Sequence, residues 1–226
     1  MAVGFKVKGP DYSAAEKDTE IRSLLGGLLA ADWRQALIAR GFGWHITVGA
    51  LTSPITGGGA GTVIDLEQPE LAINVPTGLT MIPLRIAVEC QLGLQTTDSH
   101  ESEILIAADR TQVQTAGTST VELPANMRTD LTAAAPFTAF SAYTGDGIAT
   151  PVLGLELARR QGLTDLQGVA ATLNVYQFDL VYEPLWPPFI VGPAHIAVYF
   201  AGDIAVTGFI QASVLAINSE LVTRLL

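Results

Sequence analysis

The sequence of 226 residues contains one cysteine, Cys90, and three histidines, His45, His100 and His195. A single cysteine excludes an internal disulfide framework, and the apolar run "IAVEC" around it predicts a small buried side chain rather than a reactive thiol. A metal site of the cupin kind needs two histidines one residue apart, a third histidine and a carboxylate. Because no two histidines have that spacing, we expect no metal and no other cofactor.

Motifs for nucleophilic, phosphoryl-transfer and glycosidic chemistry are also missing. The glycine cluster "GGGAG" at residues 57–61 is not followed by Lys-Ser or Lys-Thr, and no G-x-S-x-G elbow occurs. Glu156 and Asp165 are scattered carboxylates, too far apart in the sequence to be argued as a glycosidase pair. We therefore predict no catalytic residues and a protein that is not an enzyme.

A weak calcium signal occurs in "TTDSHESEI", which contains Asp98, His100, Glu101 and Glu103. Oxygen ligands at alternate positions can hold Ca²⁺ in a loop, but an EF-hand loop also needs a glycine and a longer frame. A solvated turn that leads into the strand "EILIA" accounts for the same residues. The sequence favours the turn.

Charged residues make up only 15% of the chain, and their distribution is uneven. The formal net charge of −10 makes nucleic acid an unsuitable partner for the body of the protein. All the lysines, Lys6, Lys8 and Lys17, lie near the start of the sequence, and Arg22 follows them. One end of the chain can therefore bind an acidic surface, although charge alone favours a solvated tail.

Hydrophobic residues make up 49% of the chain, and residues 187–218 form a long apolar stretch, "PPFIVGPAHIAVYFAGDIAVTGFIQASVLAIN". A helix that crosses a membrane needs about twenty continuous apolar residues. Asp203, Gln211 and Ser213 interrupt this stretch, and no basic cluster flanks it. We predict a hairpin of two strands with the core on one face and a partner subunit or the N-terminal arm on the other, and no membrane anchor.

Short β-branched segments bounded by turn residues follow one another from Gly43 onwards, as in "GWHITVGAL", "ESEILIAAD" and "FTAFSAY". This pattern is typical of a β-sandwich or barrel. Pro83 in "TMIPLRIAVECQL" indicates an edge position or a β-bulge. Tyr176, Phe178 and Tyr182 have even spacing on one strand; they could form a sugar-binding platform, but core packing is the favoured interpretation.

Residues 13–40, "SAAEKDTEIRSLLGGLLAADWRQALIAR", are the helical part of the sequence. Ser13 and Glu16 have the spacing of a capping box, and a glycine pair divides the stretch into two short helices or one broken helix. We predict an N-terminal helical arm at residues 1–40 and one β domain at residues 41–226. The apolar stripe of the arm packs either on its own β domain or on a neighbour. The predicted partner-binding residues are Lys6, Lys8, Lys17, Arg22, Ile21, Leu24, Leu25 and Leu28.

Three longer phrases resemble a group of virion proteins of tailed bacteriophages, the jelly-roll decoration or cement proteins on the outside of the capsid. They are "GGGAGTVIDLEQPELAINVPTGLTMIPLRIAVECQ", "ESEILIAADR" and "VYQFDLVYEPLWPPFIVGP", followed by the apolar C-terminal stretch. The resemblance covers roughly residues 33–221 and carries over no functional residue by position. It implies a jelly-roll β-sandwich, self-association into trimers or dimers, and binding to the major capsid protein at joints between capsomers.

The predicted fold is therefore mainly β, a jelly-roll-like antiparallel β-sandwich with a short helical N-terminal arm. The predicted function is that of a capsid cement protein on the outer surface of the virion, a homotrimer in preference to a dimer. The start "MAVGFKVKGPDYS" lacks the apolar core of a secretory signal, so we expect synthesis in the host cytoplasm. A tail or fibre module that binds glycan is the main alternative, and a cupin-like or glycan-cleaving enzyme is a third class.

Overall fold

The computed structural model describes residues 33–50, 52–57, 64–93, 99–111, 113–114, 117–144, 146–147, 151–152, 154–165 and 175–225. Residues 37–226 form one compact unit, and this unit is described by itself below. The predicted partner-binding residues of the N-terminal arm lie outside the described residues, so their role stays a prediction.

Strands dominate the described part of the chain, in agreement with the predicted fold class. Two short helices are present there, α1 (Trp33–Ala39) and α2 (Ser219–Leu225). The strands are β1 (Gly43–Val48), β2 (Ile55–Thr56), β3 (Leu71–Val75), β4 (Leu79–Gly93), β5 (Ser99–Asp109), β6 (Thr120–Glu122), β7 (Ala125–Asn126), β8 (Ala139–Ser141), β9 (Leu155–Asp165), β10 (Val175–Tyr182), β11 (Ile190–Val191), β12 (Ala194–Gly202) and β13 (Val206–Asn218).

Eight long strands pair in the pattern of a jelly roll. In chain order they are β1, β3, β4, β5, β9, β10, β12 and β13, and the first pairs with the last, the second with the seventh, the third with the sixth and the fourth with the fifth. This is one long antiparallel hairpin that has been rolled up. The resulting sheets have the orders β10-β4-β13-β1-β7 and β6-β8-β3-β12-β5-β9. The predicted jelly-roll sandwich is confirmed.

The main core fills the space between the two sheets. Alternate residues of β12 (Ile196, Val198 and Phe200) point into it, as the period of two along a strand requires. Alternate residues of β13, such as Ile210 and Val214, enter the same core from the other sheet. All five are almost completely buried, so the apolar C-terminal stretch forms the centre of the fold.

The predicted hairpin between the last two strands is wrong. β12 and β13 belong to different sheets, and residues 203–205 cross from one sheet to the other. The physical reason is the rolled topology, in which the seventh and eighth strands pair with the second and first instead of with each other. The outward residues Ala197 and Tyr199 of β12 are covered by Ile64 and Leu66 of the same chain. A partner subunit is therefore not needed to bury this face.

The outer face of the other sheet is covered at one end by the two short helices. Leu37 and Ile38 of α1 and Val222 of α2 pack on a cluster that contains Ile82 and Leu215. This part of the predicted apolar stripe thus lies on its own β domain. The sequence did not predict α2. In the described part of the chain no helix combines the length and the apolar character that crossing a membrane requires.

Pro83 lies at a β-bulge on one side of β4 and at a gap in the pairing on the other, so both of its predicted positions fit the structure. The register between β4 and β13 shifts between Ser213 and Val214, opposite Pro83. On the other side of β4, β10 ends opposite Ile86 and β11 begins again opposite Met81. Because proline has no backbone N–H to donate, the strand ladder is interrupted here. The segment 183–189 loops away from the sheet at this point.

Candidate interaction surface

Cys90 is buried in the main core with 1% of its surface exposed. Burial, with a smaller contribution from the negative charge of Glu70, raises the pKa of its thiol well above the ordinary value. The thiol therefore stays protonated at neutral pH and is unreactive. The predicted small buried side chain is confirmed.

His45 forms hydrogen bonds through both ring nitrogens. Its Nδ1 lies 3.1 Å from Ser213 Oγ, and its Nε2 lies 3.2 Å from Thr47 Oγ1. A serine at this distance from a histidine is half of a nucleophilic arrangement, but the group that orients the histidine is a hydroxyl and not a carboxylate. The three side chains lie across neighbouring strands of an open sheet. The predicted structural role of His45 fits this geometry.

The residues of the weak calcium signal diverge in the structure. His100 Nδ1 lies 3.0 Å from Asp203 Oδ2, whereas Glu103 pairs with Arg159. Glu101 is exposed, and Asp98 lies outside the described residues. Within the described ranges, no group of three His, Cys, Asp or Glu side chains is arranged to hold a metal ion. The favoured turn and strand interpretation accounts for what is described.

Two of the three evenly spaced aromatic residues on β10 pack toward the main core. Phe178 is 3% exposed and belongs to the main core, and Tyr182 is half-buried against the same core. Burial raises the pKa of the Tyr182 phenol. The side chain of Tyr176 lies outside the described residues. Core packing is thus confirmed for Phe178, which cannot serve as a sugar platform.

A groove of about 300 Å³ lies on the outer face of the first sheet, lined by apolar surface and by the polar side chains of Glu89, Gln91, Gln177 and Asp179. Glu89 and Asp179 are directly opposite each other on neighbouring strands, and Arg160 donates a hydrogen bond to Asp179. Small-molecule sites are usually concave and mostly apolar. This groove is open to solvent and mixes charged with apolar surface, so it is a poor candidate for a ligand site.

A row of buried polar residues crosses the outer face of the second sheet. Asn74, His195 and Asp109 are adjacent on β3, β12 and β5, and each is at most 8% exposed. Asn74 Nδ2 donates to the Gln114 carbonyl at 2.7 Å, and the Gln114 N–H donates back to Asn74 Oδ1 at 2.7 Å. These bonds hold the segment around Gln114 over the sheet. The row is covered and offers no surface to a partner.

The carboxyl groups of Glu67 and Asp146 lie close together beside the Gln114 segment that covers the second sheet. The negative charge of Asp146 raises the pKa of Glu67, and burial and Asp65 act in the same direction. A carboxyl group with a raised pKa binds its proton more tightly in the folded state than in the unfolded state. The folded state is therefore destabilised as the pH rises from the ordinary pKa of glutamate through the raised value.

We expect Glu67→Gln to raise Tm at pH 7 by about 1–2 °C, because it removes this repulsion. The gain should disappear below the ordinary pKa of glutamate, where the carboxyl is protonated in both states. Glu156→Gln is the matched control of opposite sign, since Arg159 lowers the pKa of Glu156. Thermal unfolding followed by circular dichroism at several pH values measures both variants. A fall in Tm for Glu67→Gln at pH 7 contradicts the prediction.

The loop between β10 and β11, residues 183–189, carries the most exposed tryptophan among the described residues. Trp186 is 86% exposed, and Phe189 and Val191, which follow it, are each more than half exposed. Pro187 is buried and Pro188 is half-buried. Prolines restrict the backbone of this loop, which lowers the entropy cost of ordering it when a partner binds. Exposed tryptophan on a restrained loop is typical of protein interfaces.

No protein-family model, curated protein or solved structure matches this chain.

This loop is not among the predicted site residues. Its sequence, "EPLWPPF", contributes only to a longer resemblance. A signal was nevertheless present, because Trp186 lies between Pro184 and Pro187 in a stretch that is neither alternating nor helical. Such a stretch cannot place a large side chain on the buried face of a regular element.

Proposed function

We propose that this chain is a capsid decoration, or cement, protein of a tailed bacteriophage, which binds the outside of the major capsid shell and stabilises it. The observation that carries this proposal is the exposed loop with Trp186 on a jelly roll whose core is complete within one chain. Such a molecule folds alone and still presents an apolar contact surface. Its partners are the major capsid protein and further copies of itself, as a homotrimer, on the outer virion surface.

The proposed mechanism is mass action. A protein that binds the assembled lattice and not its free subunits stabilises the lattice by an amount that grows with its concentration. The net charge of −10 keeps decorated particles apart in solution. The basic start of the chain, with Lys6, Lys8 and Lys17, provides charge of the opposite sign for steering toward an acidic shell.

The proposal is tested by mixing the full chain with capsids of the parent phage that were assembled without it. We expect the chain to sediment with the capsids, to give density on their outer surface by electron microscopy, and to raise the temperature at which the shell dissociates. Binding should weaken only partly at high salt, because apolar burial contributes together with charge. Failure to sediment with the shell, or density confined to the tail, contradicts the proposal.

We expect deletion of residues 1–20 to leave a folded protein that no longer decorates capsids. Circular dichroism checks the fold, and the sedimentation assay measures binding. Replacing all three lysines, Lys6, Lys8 and Lys17, by glutamine removes their charge and keeps the length of the chain. We expect this variant to associate with capsids more slowly and still to bind them after a long incubation. If the truncated protein decorates capsids as completely as the full chain does, residues 1–20 are only a tail and the prediction is wrong.

The glycan-binding alternative has lost part of its predicted platform, since Phe178 lies in the core. Trp186 remains as an exposed aromatic face on which a sugar ring can stack. A glycan array with the full chain and with Trp186→Ala tests this second candidate. Binding that depends on Trp186, without binding to capsids, favours the receptor-binding module.

A further inference from the structure

The chain passes from α1 into β1 through a turn of fixed shape. Gly41 has a φ of +86°, a backbone conformation that other residues rarely adopt. Its N–H donates to the carbonyl of Ile38 at 2.8 Å, and the N–H of Phe42 donates to the carbonyl of Leu37 at 3.1 Å. This pair of bonds is a Schellman motif, which ends a helix at a glycine. We define residues 39–43 as the joint.

Residues 126–128 bind the joint at three alternate carbonyl groups. The three hydrogen bonds run from Asn126 Nδ2 to Gly41 at 2.8 Å, from the Met127 N–H to Gly43 at 2.9 Å, and from Arg128 Nη1 to Ala39 at 2.9 Å. The Asn126 side chain also accepts from the Arg128 N–H at 2.8 Å. One short segment of the β domain therefore holds the joint at both ends and at its centre.

The Arg128 side chain is itself held in position. Asp130 accepts hydrogen bonds from Nε, at 3.0 Å, and from Nη2 of the same guanidinium group. This two-point contact is the fork geometry that arginine forms with a carboxylate, and it leaves Nη1 for the carbonyl of Ala39. Carbonyl groups in the last turn of a helix have no partner within the helix. Arg128 thus supplies a charged donor to a carbonyl that α1 leaves unsatisfied.

We propose that Arg128 is a positioning residue for the N-terminal arm: it fixes the joint to the β domain, so that a capsid bound by the arm is also held by the β domain. The inference rests on the proposed function, in which the basic residues Lys6, Lys8 and Lys17 contact the shell. The joint is the covalent link between these residues and the β domain. A link that bends freely must be ordered at each binding event, and this ordering costs affinity.

The anchor is tested with Arg128→Gln in the full chain, which removes the charged donor. We expect the backbone N–H groups of Gly41 and Phe42 to exchange with solvent deuterium about 10-fold faster than in the unchanged chain, because the joint opens more often once Ala39 loses this partner. Hydrogen exchange followed by mass spectrometry or NMR measures this rate. Circular dichroism verifies that the variant is folded.

Arg85→Gln is the matched control, because it removes the same charge from a comparable surface site. The exposed fractions of the two side chains are 43% for Arg85 and 37% for Arg128, and each pairs with one carboxyl group. Arg85 lies on β4, three strands away from β7. We expect this variant to exchange at the joint, and to bind capsids, like the unchanged chain.

Binding to immobilised capsids gives the second readout. We expect Arg128→Gln to associate at the unchanged rate, since the lysines of the arm are intact, and to dissociate about 5-fold to 10-fold faster. A general loss of stability would instead lower the amount of active protein and leave the dissociation rate of the active fraction unchanged. The two rates therefore separate positioning from a merely structural role.

The inference is overturned if Arg128→Gln leaves exchange at Gly41 and Phe42 unchanged, if this variant dissociates from capsids like the unchanged chain, or if Arg85→Gln has the same effects. Its failure is distinct from failure of the proposed function. Normal binding by both the unchanged chain and Arg128→Gln overturns the positioning role alone. Absence of binding by the unchanged chain overturns the proposed function and the positioning role together.

Discussion

Replacing Phe200 with alanine should lower the free energy of unfolding by about 3–5 kcal/mol. Phe200 is 1% exposed at the centre of the main core. Gly57 and Gly208 leave the room that its ring occupies, since a Cβ on either would lie within 3.3 Å of ring atoms. Two backbone segments, one of them in β13, therefore line the ring. A backbone wall cannot move in to fill the cavity, so the cost of the substitution should be near the upper end of this range.

Trp186→Ala is the matched control, because it removes a larger aromatic side chain from the surface. We expect it to change the free energy of unfolding by less than about 0.5 kcal/mol. Urea unfolding, measured by fluorescence and circular dichroism at a protein concentration at which the chain is monomeric, compares the two variants. Equal effects of the two substitutions would contradict the assignment of Phe200 to the core and of Trp186 to the surface.

The longer strands could be predicted because each has a local signal, whereas the two-residue strands β2, β7 and β11 could not. In "TMIPLRIAVECQL", alternation along most of β4 predicts a strand, and Pro83 predicts the break in its ladder. Local pattern, however, gives no information on which strands are neighbours. A proline at a bulge and a proline on an edge have the same sequence signature. In the structure both apply, because Pro83 faces the register shift of β13 on one side and the gap between β10 and β11 on the other.

The hairpin prediction failed for a related reason. The connection "GDIAVTG" between β12 and β13 has the composition of a turn whether the flanking strands pair or separate into two sheets. The continuous apolar character of β12 correctly predicted burial on both faces. It could not show what covers the second face. The cover includes Ile64 and Leu66, which are more than a hundred positions away from β12.

The candidate surface was the least predictable feature. A tryptophan is more often buried than exposed, so composition alone favours a core position for Trp186. Its exposure follows from a tertiary fact, namely that the partner of β4 loops out opposite Pro83. The basic N-terminal residues had the clearer sequence signal, since Lys6, Lys8 and Lys17 stand apart from an acidic chain. Their role stays a prediction.

Asn74→Ala should also have a large effect, a loss of about 2–5 kcal/mol in the free energy of unfolding. Asn74 donates to the carbonyl of Gln114 and accepts from its N–H, and Gln114 is 1% exposed. The alanine variant leaves both backbone groups buried without these partners, and each such group costs about 1–3 kcal/mol. The sequence "LAINV" gave no sign of this role, because the partner lies forty positions away.

Asn126 provides the matched control, because it makes the same pair of bonds at a more open site. Its Nδ2 donates to the Gly41 carbonyl at 2.8 Å, and its Oδ1 accepts from the Arg128 N–H at 2.8 Å. Water can replace the lost bonds where the groups are partly exposed, so Asn126→Ala should cost only about 1 kcal/mol. Hydrogen exchange gives a second readout. Asn74→Ala should speed exchange of the Gln114 N–H more than Asn126→Ala speeds exchange of the Arg128 N–H. If the two variants are equally stable, the buried pair of bonds does not hold the cover over the second sheet.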